Sequence, residues 1–144
     1  MLDLLAVQDA ATGPNVHWLT AALWAGAVVD VGGAIGFLFF AERTERAFQL
    51  PREMTFWPQY ASVFLVVLAL LYAVTARHPE LLLPNVGVAI VGRALGGAFY
   101  LRRAAMTPGL QWPIAVMGAT NALFAFAYIT ILGTSGLRML WRTI

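Results

Sequence analysis

Apolar residues along this chain come in long unbroken stretches rather than in alternation. Four of them, at about 18–40, 56–76, 84–101 and 112–132, are close to the roughly 20 residues a helix needs to cross bilayer hydrocarbon. Their edges carry helix-boundary chemistry. Thr55 can cap the second stretch, and Pro58 falls in its first turn, where a missing N–H costs little. Pro84 and Pro113 open the third and fourth in the same manner. Trp18, Trp57 and Trp112 begin spans and Tyr100 lies near the end of one, where amphipathic rings anchor a helix to the membrane interface. The pattern predicts an all-α fold: an integral membrane four-helix bundle over residues 17–144, with residues 1–16 as an N-terminal extramembrane or interfacial segment.

Composition fits that picture and removes alternatives. The chain has 144 residues, 60% hydrophobic and only 11% charged, against about 25% charged in a soluble domain. It contains no cysteine, which excludes disulfides, thiolate metal sites and cysteine nucleophiles. The net charge of +2 comes entirely from arginine, with no basic stripe of the kind that binds nucleic acid. Asp3 and Asp9 stand where a signal peptide would be positive, so the N-terminal segment is expected to persist in the mature protein.

The connections add an orientation and a surface element. Arg43, Arg46 and Arg52 in the first connection and Arg102 and Arg103 in the third share one side, against Arg77, Arg138 and Arg142 on the other. An excess of arginine faces the cytoplasm, so both termini are expected outside it, in a bacterial inner membrane. The first connection, AERTERAFQLPREMT, is too long for a turn. Phe48, Leu50 and Met54 among its charges predict a segment lying along the membrane surface. Two helical hairpins, each with a glycine pair, an arginine-bearing connection and then Trp-Pro, also hint at a duplicated unit.

Polar residues inside the spans are few, and three coincide in depth. Asp30 and Asn121 are each one residue from the middle of their spans, and Arg93 is at the middle of its own. At 1.5 Å rise per residue, the three should lie within about 2–3 Å of one level. An isolated charge there costs about 2.5–3.5 kcal/mol, and pairing removes much of that cost. Asp30 is therefore expected to meet Arg93, with Asn121 hydrogen-bonding one or both. Small residues flank the cluster. Gly26 and Gly33 share a helical face with Asp30, Gly96 and Gly97 one with Arg93, and Gly118 one with Asn121. Gly32-x-x-x-Gly36 and Gly92-x-x-x-Gly96 are patterns that let helix backbones approach closely. Two readings of the cluster stay open: a buried ion pair that fixes helix register, and an intramembrane site for a proton, an ion or a polar ligand.

Other chemistry is sparse. His17 and His78 have no clustered carboxylates and make no metal shell, though His17 could reach a cofactor in a neighbouring subunit as an axial ligand. No serine-histidine-aspartate set or carboxylate pair assembles at one depth, so no catalytic residue is expected.

From Phe48 to about Ile131 the chain resembles the small bacterial four-helix membrane proteins loosely called DoxX-like. The Phe56-Trp57 start of one span and LALLYAVTARHPE closing it carry the likeness, with the glycine-rich span around Arg93 and the polar residue before ALFAFAYI. That group's pattern places an acidic residue where Asn121 stands. For some members of the wider group the resemblance implies a small subunit of a membrane oxidoreductase linked to quinone. Absent catalytic sets, little extramembrane mass and uniformly apolar outer faces make the leading expectation a non-catalytic accessory subunit of a respiratory or photosynthetic complex, with other membrane subunits and lipid as partners and no cofactor of its own. The alternatives are a stand-alone bundle that binds a lipid, quinone or other hydrophobic molecule near Asp30, Arg93 and Asn121, and a small transporter or channel.

Overall fold

A computed structural model describes residues 14–48, 56–79, 81–106 and 112–134. The described chain is helical throughout: α1 (Pro14–Phe39), α2 (Ala41–Phe48), α3 (Phe56–Arg77), α4 (Leu83–Met106) and α5 (Trp112–Thr134). Residues 1–13, Thr55, Arg52, Leu50, Met54, Arg138 and Arg142 lie outside the described residues, as do the side chains of Phe48 and Trp57, so the expectations placed on them are not met or missed here.

Three helices are long and apolar enough to cross a membrane: Val16–Phe39 within α1, Pro58–Arg77 within α3, and α5. Helix α4 is comparable in length but less apolar, because Asn85, Arg93 and four glycines interrupt it and Arg102 and Arg103 extend it. The helices also run further than the apolar stretches foretell. α4 continues to Met106, so Arg102 and Arg103 ride on its last turns rather than in a connection. Ala104 and Ala105 are good helix formers, and cations there complement the negative end of the helix dipole.

The first connection begins as a short helix. The long apolar run breaks at Phe40, where the chain turns into α2. The break leaves carbonyls at the end of α1 to be satisfied. The Phe40 N–H donates to the Gly36 carbonyl at 3.1 Å, and the Thr44 hydroxyl donates to the same carbonyl at 3.2 Å. Helix α2 puts Arg43 and Arg46 outward and buries Glu45.

Helices α1 and α3 pack along each other, as do α4 and α5, and the two pairs join chiefly through α1 against α5; α3 and α4 touch only sparsely. The two ends of the bundle differ. At the end holding the α3–α4 connection, Val16, Leu19, Leu23, Ala27, Ala69, Tyr72, Ala76, Leu83, Val86, Ala89 and Tyr128 form a continuous apolar core. At the other end a hollow lies among the helices, and α2 reaches across from α1 toward α3 and α5. Large apolar side chains project outward along all four long helices, among them Val28, Leu70, Leu95 and Phe126, each more than 60% exposed. Exposed apolar patches of that extent need a cover other than water.

Candidate functional site: a polar floor beneath an apolar hollow

The structure brings Asp30, Arg93 and Asn121 together at the boundary between the packed end and the hollow end. Arg93 is the hub. One Nη2 hydrogen lies toward Asp30 Oδ1, with the nitrogen and oxygen 2.8 Å apart, and both side chains are more than nine-tenths buried. Nη2 also donates to the Gly26 carbonyl at 3.1 Å, and Nη1 donates to Asn121 Oδ1 at 3.0 Å. The Asn121 amide nitrogen in turn donates to the Met117 carbonyl one turn back, which fixes its oxygen toward the arginine. The guanidinium carbon lies 5.1 Å from the Tyr72 ring centroid and 5.0 Å from that of Phe124. Such contacts strengthen when desolvated, as here. Four helices therefore converge on one cation.

Gly26 makes this convergence possible. A Cβ there would collide with the Tyr128 hydroxyl and crowd the Tyr72 ring at 3.3 Å and Arg93 Nη2 at 3.4 Å. Tyr128, fully buried, donates its hydroxyl to the Ala22 carbonyl at 3.2 Å and stacks edgewise on Tyr72. Tyr72, Phe124 and Tyr128 are members of the cluster that the sequence reading does not anticipate. The available signal was a ring with a hydroxyl near the inner end of an apolar span, a position that asks for a partner.

The glycines divide into two uses. Gly97 and Gly118 are close-approach positions within the α4–α5 pair: added methyls would stand 3.0 Å from the Ala122 backbone nitrogen and 2.8 Å from that of Leu101. Gly33 meets Leu65 of α3 at 3.1 Å, and Gly96 faces Asn121 at an ordinary 3.6 Å. Gly32, Gly36 and Gly92 correct the expectation of close packing, since a Cβ at any of them meets nothing within 4 Å. The reason is angular. At 100° per residue, Gly32 lies on the face opposite Asp30, so Asp30 and Gly32 cannot both face the bundle interior. Gly36 and Gly92 instead border the hollow.

That hollow is a cavity of about 450 Å³, open on one side. Asp30, Arg93 and Asn121 form its polar floor, and Val29, Phe37, Leu65, Leu68, Val116 and Met117 form apolar walls, with Thr44 of α2 and Thr120 also on its surface. A second depression of about 310 Å³ shares Phe37, Leu65, Tyr100 and Met117 with it and continues to Tyr60 and Phe64. Twelve residues of α3 separate Tyr72 at the floor from Tyr60, a rise of about 18 Å. Size and lining match a site for a small hydrophobic molecule.

Of the expected interfacial anchors, Trp18 and Trp112 are exposed at 67% and 71%. Tyr100 is half-buried and lines the hollow, and α4 continues past it. His17 is exposed at the start of α1. Among the described residues there is no group of three or more metal-ligating side chains. Comparison with protein-family models, with curated proteins and with solved structures yields no match to this chain.

Proposed function

We propose that this protein is a four-span membrane bundle that takes up a hydrophobic molecule from the bilayer and holds it in the hollow above Asp30, Arg93 and Asn121. The observation that carries the reading is the asymmetry of the bundle: one end is packed to the centre, while the other keeps about 450 Å³ between apolar walls over a polar floor. A bundle built only to fix its own helices gains nothing from the hollow, because interiors otherwise pack densely. In this reading α4 is the fourth span. Its one central charge is answered by Asp30, Asn121 and the Gly26 carbonyl, which lowers the cost of placing arginine at that depth. The sparse contact between α3 and α4 leaves a seam through which a lipid-dissolved molecule reaches the hollow without entering water.

The accessory-subunit reading draws on the outward apolar faces, which lipid tails cover as readily as a partner protein would. The cavity is what favours a bound molecule, a lipid or a quinone among them. The test is purification in mild detergent, followed by solvent extraction and mass spectrometry. The intact protein should retain a lipophilic molecule near one per chain, and the cavity-filling variant Gly36→Leu should lose it while eluting as the same particle. A large particle with stoichiometric protein partners and no retained molecule would favour the accessory role instead.

A further inference from the structure

An arginine on the floor of a membrane cavity invites the expectation of an anionic ligand, a fatty carboxylate or a phosphate. The geometry points to the opposite: we infer that the site selects an uncharged amphiphile with a hydroxyl head. The inference rests on the hydrophobic-molecule reading above and specifies the head that such a molecule carries.

The guanidinium is largely committed and sealed. Nη2 is engaged by Asp30 and the Gly26 carbonyl, Nη1 gives one hydrogen to Asn121, the rings of Tyr72 and Phe124 lie against it, and Nε, without a partner, is closed to the hollow. Its charge is also cancelled at contact distance by Asp30. To pair in full with the guanidinium, an anionic head would have to displace Asp30 or Asn121, leaving a carboxylate or an amide buried without its partner. A cationic head would compete with Arg93 for Asp30 and lose, since Arg93 is held on three sides. Either ion must also be brought to mid-membrane depth, where an uncompensated charge is costly. A neutral head avoids both penalties.

What the floor still offers is hydrogen bonding without net charge. Asp30 is 98% buried, and its Oδ2, which has no hydrogen-bond partner, is itself closed to the hollow, so a ligand head meets the polar groups above it. Asn121 uses one of its two amide hydrogens and one of its two carbonyl lone pairs in the bonds described above. The Thr120 hydroxyl lies on the same surface. An alcohol can donate to the Asn121 carbonyl oxygen and accept from the amide or the threonine at once, whereas an ester or ether can only accept. The tail then follows the apolar walls toward Phe37 and Phe64, along about 18 Å of helix.

The experiment uses the full chain, labelled with nitrogen-15 in neutral micelles, and follows the Arg93 Nε–H and Asn121 side-chain amide resonances. Dodecanol, dodecane, dodecanoate above its own pKa and dodecylammonium are titrated in turn. Dodecanol should shift both resonances saturably, and the charged chains should bind about 100-fold more weakly, the ratio expected of a charge left uncompensated at that depth. Gly92→Leu, which fills the open rim of the hollow where a Cβ meets nothing, should abolish the dodecanol shifts and leave the helical spectrum intact. If dodecanoate or dodecylammonium binds as well as dodecanol, or dodecane does, the hydroxyl-head inference is overturned while the cavity reading stands. If no chain shifts the resonances, or Gly92→Leu leaves the shifts unchanged, both fall.

Discussion

The packed end and the hollow end of this bundle are built from the same four helices and much the same residue types, yet they use them in opposite ways. In the packed half, Gly26 is small so that Tyr128, Tyr72 and Arg93 can close on one another. In the hollow half, Gly97 and Gly118 let α4 and α5 close on each other, but Gly36 and Gly92 are small and nothing closes on them. A glycine in an apolar helix is therefore no guide to packing by itself. Its meaning depends on which way the helix is rotated, and the polar cluster sets that rotation by pulling Asp30 and Arg93 inward.

The comparison can be broken most severely at the cluster itself. Replacing Arg93 by leucine leaves the Asp30 carboxylate buried without its counter-ion, and the expected loss is about 3–5 kcal/mol in reversible unfolding in mixed micelles. Adding Asp30→Leu should return most of that loss, because an apolar pair of similar volume is often as stable as a buried ion pair. If the double variant is no better than the single one, the ion pair is not what holds the two ends in register.

A smaller effect is expected at Gly26. Gly26→Ala forces a methyl into the Tyr128 hydroxyl and the Tyr72 ring and should destabilise by about 1–3 kcal/mol, measured the same way. Tyr128→Phe removes one buried hydrogen bond to Ala22 but keeps the ring, and should cost about 1 kcal/mol. The mildest change carries the opposite sign. Gly36→Ala meets no neighbour and removes backbone entropy from the unfolded chain, so it should stabilise by about 0.5–1 kcal/mol. A thermal melt that ranks Gly26→Ala and Gly36→Ala together would erase the distinction between the two ends.

Some of this was legible in the sequence. Helix rise alone places Asp30, Arg93 and Asn121 at one depth, because three antiparallel or parallel rods of similar length share a midplane whatever their rotation. Rotation is less accessible. Gly32-x-x-x-Gly36 and the Gly26–Asp30–Gly33 stripe point different ways on one helix, and only the positions of α3 and α5 decide between them. Tyr72 was missed because its depth depends on how α3 slides along α1, a tertiary quantity that no period encodes. The end of α4 was placed too early because hydropathy falls at Arg102 while helix propensity does not. The hollow itself leaves no local signature at all, since a wall of valine and leucine reads the same whether it faces a neighbour or a space.

The wiring of the cluster also bears on how the protein is made. The chain emerges N-terminus first, and 67 residues separate Gly26 from the arginine that bonds its carbonyl. During that interval the α1–α3 hairpin carries an aspartate with no answering charge, and its natural counterpart has not yet been synthesised. The hairpin is thus an incomplete product that waits, and the arrival of α4 is the step that commits it. A truncation after α3 should leave a hairpin prone to extraction and proteolysis, and co-expression of α4 and α5 as a separate fragment should rescue it through the same three side chains.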